Sequence, residues 1–190
     1  MHAYIAANVA KVVQPDEILR AEWVARISAL DLYVHEFVAQ QMLAIFEGAR
    51  PKTAAYQAFK IPTETVDRIR AATSPVESSA AFDLEVRRQL GFITYQDPEK
   101  IADGIRLCSS VELWNAIAVH QGATEATKVD RSKQMKRTLS AIVERRNKIA
   151  HEGDLQPTLL PLAPWPISQA DLATVSAFID ALVRSIDAVA

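Results

Sequence analysis

The stretch RRNKIAHEGD, Arg145–Asp154, closes the most regular amphipathic helix that the sequence predicts, from about Asp130 to Glu152 (the motif helix). On a helical wheel at about 100° per residue, its apolar side chains gather on one stripe: Met135, Leu139, Ile142, Ile149 and Ala150. Arg146 falls in the middle of that stripe, and burial of a guanidinium group without partners costs several kcal/mol. We therefore expect Arg146 to face a carboxylate, a polar cleft or a dimer interface.

Helical spacing continues through almost all other periodic segments, and the 190 residues contain only 5 glycines. A long helix is predicted from about Asp16 to Glu47, and its apolar line is formed by Trp23, Ile27, Leu30, Val34, Val38 and Ile45. Three pairs of residues have the spacing of helix starts: Asp97 with Pro98, Ser109 with Glu112, and Ser168 with Asp171. Further helices are predicted over 2–13, 53–60, 63–72 and 77–90, and a short extended piece over 91–96.

The sequence thus predicts an all-α fold in a single domain, 1–190. We expect a helical bundle of two long antiparallel helices with the motif helix, the C-terminal helix and several short helices.

Composition excludes several classes of protein. Apolar residues make up 49% and charged residues 23%, which is typical of a globular chain, and the net charge of -2 gives no general argument for nucleic-acid binding. Cys108 is the only cysteine, so an internal disulfide and a cysteine-based zinc site are excluded, and the histidine spacings predict no metal or other cofactor. The N-terminal segment is a poor signal peptide and no apolar run approaches the roughly 20 residues of a membrane span. We expect a cytoplasmic protein without a membrane partner.

The end of the motif helix carries groups suited to phosphodiester chemistry. Asn147 and His151 are one turn apart on the flank of the apolar stripe, and the carbonyl groups before Gly153 favour a protonated imidazole. Histidine suits proton transfer near neutral pH, and arginine suits two-pronged binding of a phosphate. About 140° separates Arg146 from His151 on an ideal helix, so a site that uses both needs a second copy of the helix. The alternative is a chance spacing, with a snorkelling arginine and a capping histidine.

Other polar residues surround this segment. Eight cations would attract an RNA backbone, although a solvated helix face is the alternative: Lys128, Arg131, Lys133, Lys136, Arg137, Arg145, Arg146 and Lys148. Candidates for substrate binding are Arg145, Lys148 and Lys136 from this group, together with His35. Trp114 and Trp165 are candidates to stack on bases, and packing in the core is the alternative for both.

The motif Arg146-Asn147-Lys148-Ile149-Ala150-His151 resembles the Arg-Asn-x-x-x-His signature of HEPN domains, and the match is closest to the RiboL-PSP-HEPN group. Four further stretches agree with that group: ISALDLYVHEFV, QDPEKIADGIRL, LWNAIA and PWPISQADL.

The resemblance implies a helical homodimer whose two motif helices form a metal-independent ribonuclease site that leaves 2′,3′-cyclic phosphate ends. Arg146 would then bind and polarise the phosphate, His151 would be the acid or base, and Asn147 would orient one of them. Asp31, at the edge of the long helix, would face the motif and pair with Arg146 or His151, or else be a half-buried carboxylate with its own partners. The resemblance also implies a toxin or a phage-defence protein, with an antitoxin or a defence protein as partner. The alternative is a non-catalytic helical dimer that binds RNA, a nucleotide or a protein.

Overall fold

The computed structural model describes residues 15–157 and 161–190, so the helix predicted over 2–13 lies outside the described residues. These ranges contain eight helices and no strand, which confirms the all-α class. In chain order the helices are α1 (Pro15–Phe46), α2 (Ala54–Ala58), α3 (Thr63–Ala71), α4 (Pro75–Leu90), α5 (Pro98–Cys108), α6 (Leu113–His120), α7 (Lys128–Glu152, the motif helix) and α8 (Gln169–Val189). The predicted bundle has two long helices besides the motif helix and the C-terminal helix. The described ranges contain one such helix, α1.

The core is built on the apolar line of α1. Every member of the predicted line is buried, because residues three and four apart fall on one side of a helix. Leu139 of α7 and Leu182 of α8 are also fully buried and complete the core. Each such side chain stabilises the fold by about 1.5–3 kcal/mol. Cys108 lies in the same core, and burial raises the pKa of its thiol to about 11.

Two of the three predicted helix starts are confirmed. The Asp97 carboxylate accepts hydrogen bonds from the first free N–H groups of α5, with Pro98 at its first turn, and Ser168 and Asp171 form a capping box on α8. The third prediction is wrong. Ser109 instead ends α5, and the residue before α6, Glu112, makes no capping hydrogen bond with its side chain.

The segment 91–96 is not extended as predicted; it folds into turns after α4. Three of its groups donate hydrogen bonds to the carboxylate of Asp31 on α1: Tyr95 N–H at 2.5 Å, Gln96 Nε2 at 3.1 Å and Thr94 Oγ1 at 3.2 Å. Since one side chain supplies the acceptors, the segment needs no neighbouring strand.

A buried ion network fixes the end of the motif helix. The helix stops at Gly153, which has a left-handed backbone (φ 65°), and Asp154 follows with φ 56°. The Asp154 carboxylate is 1% exposed and accepts hydrogen bonds from Arg20 Nε and Arg145 Nη2, both at 3.2 Å. The same guanidinium groups donate to the carbonyl groups of Trp165 and Pro166, each at 2.7 Å. The chain after α7 is therefore held against the start of α1.

Candidate functional site

The motif residues Arg146 and Asn147 line an open cleft of about 500 Å³. Its walls come from two parts of the chain. One wall belongs to α7, and the other is the segment that leads into α5. The remaining lining residues are Ser140, Val143 and Glu144 of α7, and Thr94, Gln96, Asp97 and Pro98 of the opposite wall.

The guanidinium group of Arg146 is only partly used. Its Nη1 donates to the side-chain oxygen of the neighbouring Asn147 at 2.9 Å. Its Nε is buried without a hydrogen-bond partner, and no carboxylate of the described residues forms an ion pair with it. Arg146 was expected to face a carboxylate, a polar cleft or a dimer interface. Within a single chain it faces the polar cleft. An unpaired buried N–H group costs about 1–3 kcal/mol, so part of the hydrogen-bonding capacity of this guanidinium group is not used by the described residues.

His151 is exposed in the last turn of α7 and is not among the residues that line the cleft. It forms no hydrogen bond or ion pair with the residues that the structure describes. One chain thus does not bring Arg146 and His151 into one cleft, which agrees with their offset on the helical wheel.

Asp31 has its own partners, and neither Arg146 nor His151 is among them. Besides the three groups of segment 94–96, its carboxylate lies 3.6 Å from His35 Nε2. The ring of His35 meets Tyr95 edge to face at 4.6 Å between centroids. Since Thr94 and Gln96 line the cleft opposite Arg146, Asp31 holds that wall in place instead of reaching the motif. His35 supports the same segment from behind and does not line the cleft.

Ion pairs neutralise much of the basic group on and beside α7. Lys148 pairs with Glu144 at 2.9 Å and Lys136 with Glu99 at 2.8 Å. Arg145 is bound to Asp154 and lies over the Trp23 ring at 5.0 Å, so its guanidinium group serves the fold; we leave it out of the site. The lysine pairs are exposed, and such pairs contribute only about 0–1 kcal/mol. Both lysines can therefore exchange a carboxylate for a phosphate.

The two candidate stacking residues have different surroundings. Trp114 is buried, and its Nε1 donates to the carbonyl group of Pro98 at 2.9 Å, so it packs in the core beneath the cleft wall. Trp165 remains partly exposed near the ion network, and its backbone N–H donates to the Asp154 carbonyl group at 2.7 Å. Neither ring lines the cleft of Arg146.

Sequence reasoning did not assign five polar residues to the cleft that they line: Thr94, Gln96, Asp97, Ser140 and Glu144. Thr94 and Gln96 belong to a segment without periodic pattern, and the only local signal was the helix start at Asp97. Ser140 lies on the polar side of the motif helix, one turn before Glu144, where nothing in the pattern distinguishes it from solvated surface.

Comparison of the chain with family models, curated proteins and solved structures gives no match. Within 15–157 and 161–190, no three His, Cys, Asp or Glu side chains are grouped so that they could hold a metal ion. None of the helices in those ranges has the length and apolar character needed to cross a membrane.

Proposed function

We propose that the protein is a metal-independent endoribonuclease of HEPN type that acts as a homodimer. The observation that carries the proposal is Arg146, which lines a polar cleft and has no carboxylate partner among the described residues. Arginine in such a cleft suits a phosphate diester, because it offers several N–H donors in a fixed plane. The exposed His151 at the end of the same helix supplies the group that moves protons.

The reaction follows from these groups. His151 of one chain takes the proton of the ribose 2′-hydroxyl, and the 2′-oxygen attacks the phosphorus while Arg146 stabilises the charge on the phosphate oxygens. The bond to the 5′-oxygen breaks, and the leaving oxygen takes a proton from the second copy of His151. The products are a 2′,3′-cyclic phosphate and a 5′-hydroxyl end. Asn147 orients Arg146, and Asp31 fixes the opposite wall.

A ribonuclease of this kind suits a cytoplasmic toxin or a phage-defence protein, with RNA as substrate and an antitoxin or defence protein as partner. That setting is part of the proposal and rests on the resemblance of the motif alone.

A cleavage assay with matched histidine variants tests the proposal. Wild type, His151→Ala and His120→Ala are incubated with labelled mixed-sequence RNA and a chelator. His120 is the control because it is also exposed and also ends a helix, α6. We expect His151→Ala to lose at least about 100-fold in rate, as for removal of a general acid or base, and His120→Ala to keep the wild-type rate and cyclic phosphate ends. Equal rates for the two variants would contradict the role of His151.

The second candidate is a non-catalytic dimer that binds RNA, a nucleotide or a partner protein through the same cleft. Its support is the separation of His151 from the cleft and a cleft volume in the range of small-ligand sites. Absence of cleavage by the wild type, together with binding of RNA or a nucleotide that Arg146→Ala abolishes, would favour this candidate.

A further inference from the structure

A second cleft adjoins the cleft of Arg146 on α7. It has a volume of about 360 Å³ and lies between the N-terminus of α5 and the middle of α7. Four residues line both clefts: Asp97, Pro98, Ser140 and Glu144. The two clefts are therefore parts of one groove (the α5–α7 groove), which runs from Arg146 at one end to Lys136 and Arg137 at the other.

The carboxylates of this groove all have partners. Glu99 pairs with Lys136 and Glu144 pairs with Lys148. Asp97 accepts two hydrogen bonds from backbone N–H groups at the start of α5, at 2.8 and 3.2 Å. Each negative group is thus offset by an ammonium group or by the positive end of a helix.

The positive charges of the two arginines of the groove are not balanced by a carboxylate of the described residues. Arg137 is exposed and lines the second cleft, and the described part of the chain provides no acceptor for its guanidinium group. Arg146 lines the first cleft with one N–H group unpaired. The groove consequently has, at each end, a guanidinium group without a carboxylate partner among the described residues.

The spacing of these groups indicates how long the ligand is. Arg137 and Arg146 are nine residues apart on one helix, which corresponds to about 14 Å along its axis and about 180° around it, so they stand at opposite edges of the groove. One phosphate cannot contact both guanidinium groups at that separation, whereas a strand with several phosphates can. Ser140 lies between them in the groove and Asn147 lies beside Arg146, and the polar groups of these two side chains suit the edges of unpaired bases. In an RNA duplex those edges are occupied by pairing.

We infer that the α5–α7 groove binds a single-stranded segment of RNA, with the scissile phosphate at Arg146 and a second, non-reacting phosphate at Arg137. This inference rests on the proposed function and extends it, because it makes Arg137 a substrate-binding residue remote from the bond that is cleaved.

The test measures binding of two RNAs to protein that also carries His151→Ala, so that cleavage does not interfere. One RNA is a dinucleotide with a single phosphodiester, and the other is an octanucleotide without secondary structure. Arg137→Ala is compared with Arg184→Ala, a control on α8 that removes another exposed arginine, which lines neither cleft. Fluorescence anisotropy is recorded over a series of salt concentrations, and the mass and melting temperature of each variant are checked first.

We expect Arg137→Ala to weaken octanucleotide binding by about 5- to 10-fold and to lower the slope of log K against log salt by about 0.7, as for loss of one phosphate contact to a single strand. Dinucleotide binding should be unchanged, and Arg184→Ala should match the parent on both RNAs. Equal octanucleotide affinities for Arg137→Ala and Arg184→Ala would overturn the inference and leave the ribonuclease proposal standing. If the parent binds neither RNA and the wild type cleaves none, the proposed function fails and this inference fails with it.

Discussion

The carboxylate of Asp154 balances two guanidinium groups in a place that water does not reach. Removal of one partner from a buried ion pair typically costs about 3–5 kcal/mol, because the remaining charge stays buried. We expect Asp154→Ala to lower the free energy of unfolding by at least about 3 kcal/mol, measured by urea denaturation. Glu17→Ala removes an exposed carboxylate from the same Arg20 and should cost less than about 1 kcal/mol. Similar losses in both variants would show that the network does not carry this stability.

Tyr95 provides the opposite case, a buried polar group without a partner. Its hydroxyl group makes no hydrogen bond within the described residues, and burial raises its pKa to about 12, so it remains protonated at neutral pH. A buried hydroxyl group without a hydrogen-bond partner does not stabilise the fold, so a phenylalanine in its place loses no interaction. We expect Tyr95→Phe to leave the melting temperature unchanged or to raise it. A clear decrease would mean that the hydroxyl group has a partner in solution.

The carboxyl group of Glu85 predicts how the stability of the fold changes at acidic pH. Two hydrogen bonds from Arg88, at 2.7 and 2.9 Å, lower the pKa of this carboxyl group to about 2, with Gln89 and Thr65 contributing. In the unfolded chain a glutamate has a pKa of about 4.3. The stabilisation is therefore complete above about pH 4.3 and is lost as the pH falls toward 2. Glu85→Gln should be less stable than wild type at pH 7, and the difference in melting temperature should shrink between pH 4.3 and 2. The exposed Glu64→Gln should show no such trend.

The sequence singled out residues of the α7 wall of the cleft, Arg146 and Asn147, but none of the opposite wall. Arg146 stood out because it interrupts an apolar stripe that local periodicity defines. The three groups that donate hydrogen bonds to Asp31 lie more than 60 residues away along the chain, so local spacing gave no sign of them. The structural role of Arg145 was not predictable either, because its partner Asp154 becomes buried only when α1 packs against it.

At the scale of elements, α5 approaches the segment before it closely because of one glycine. A Cβ atom on Gly104 would lie 2.5 Å from the Tyr95 ring, which is itself completely buried. Extra atoms in a well-packed core typically cost about 1–3 kcal/mol. We expect Gly104→Ala to lower the free energy of unfolding by this amount, measured by urea denaturation. If Gly104→Ala combined with Tyr95→Leu regains stability relative to Gly104→Ala alone, the clash is the cause; if it does not, the glycine acts in another way.

Helix positions were predictable because their signals are local. The predicted and observed ends of α1, α3, α4 and α7 agree within about two residues, as caps, prolines and apolar periodicity all lie inside or beside each helix. The segment 91–96 was not predictable, because its conformation depends on a carboxylate of α1. Ser109 was misassigned since a serine three residues before a glutamate fits the pattern of a helix start and also follows a helix end.

For the molecule as a whole, the separation of His151 from the Arg146 cleft has a consequence for mixtures of subunits. If two chains form each site, a large excess of inactive His151→Ala chains should capture wild-type chains in mixed dimers and suppress their activity. The same excess of Arg184→Ala chains should not. Cleavage rates of the mixtures, after time for subunit exchange, give the answer. If suppression is absent although capture of a tagged variant chain brings down wild-type chains as mixed dimers, the complete site lies in one chain.

Cys108 makes the native protein suitable for site-specific labelling. A thiol reacts as its thiolate, so a buried cysteine with a pKa of about 11 is nearly inert toward maleimides at neutral pH. A single cysteine introduced by Lys133→Cys, at an exposed position on the motif helix, would then take up a spin label without removal of the native residue. In a homodimer the two labels report one distance, and that distance would reveal directly whether the motif helices lie side by side.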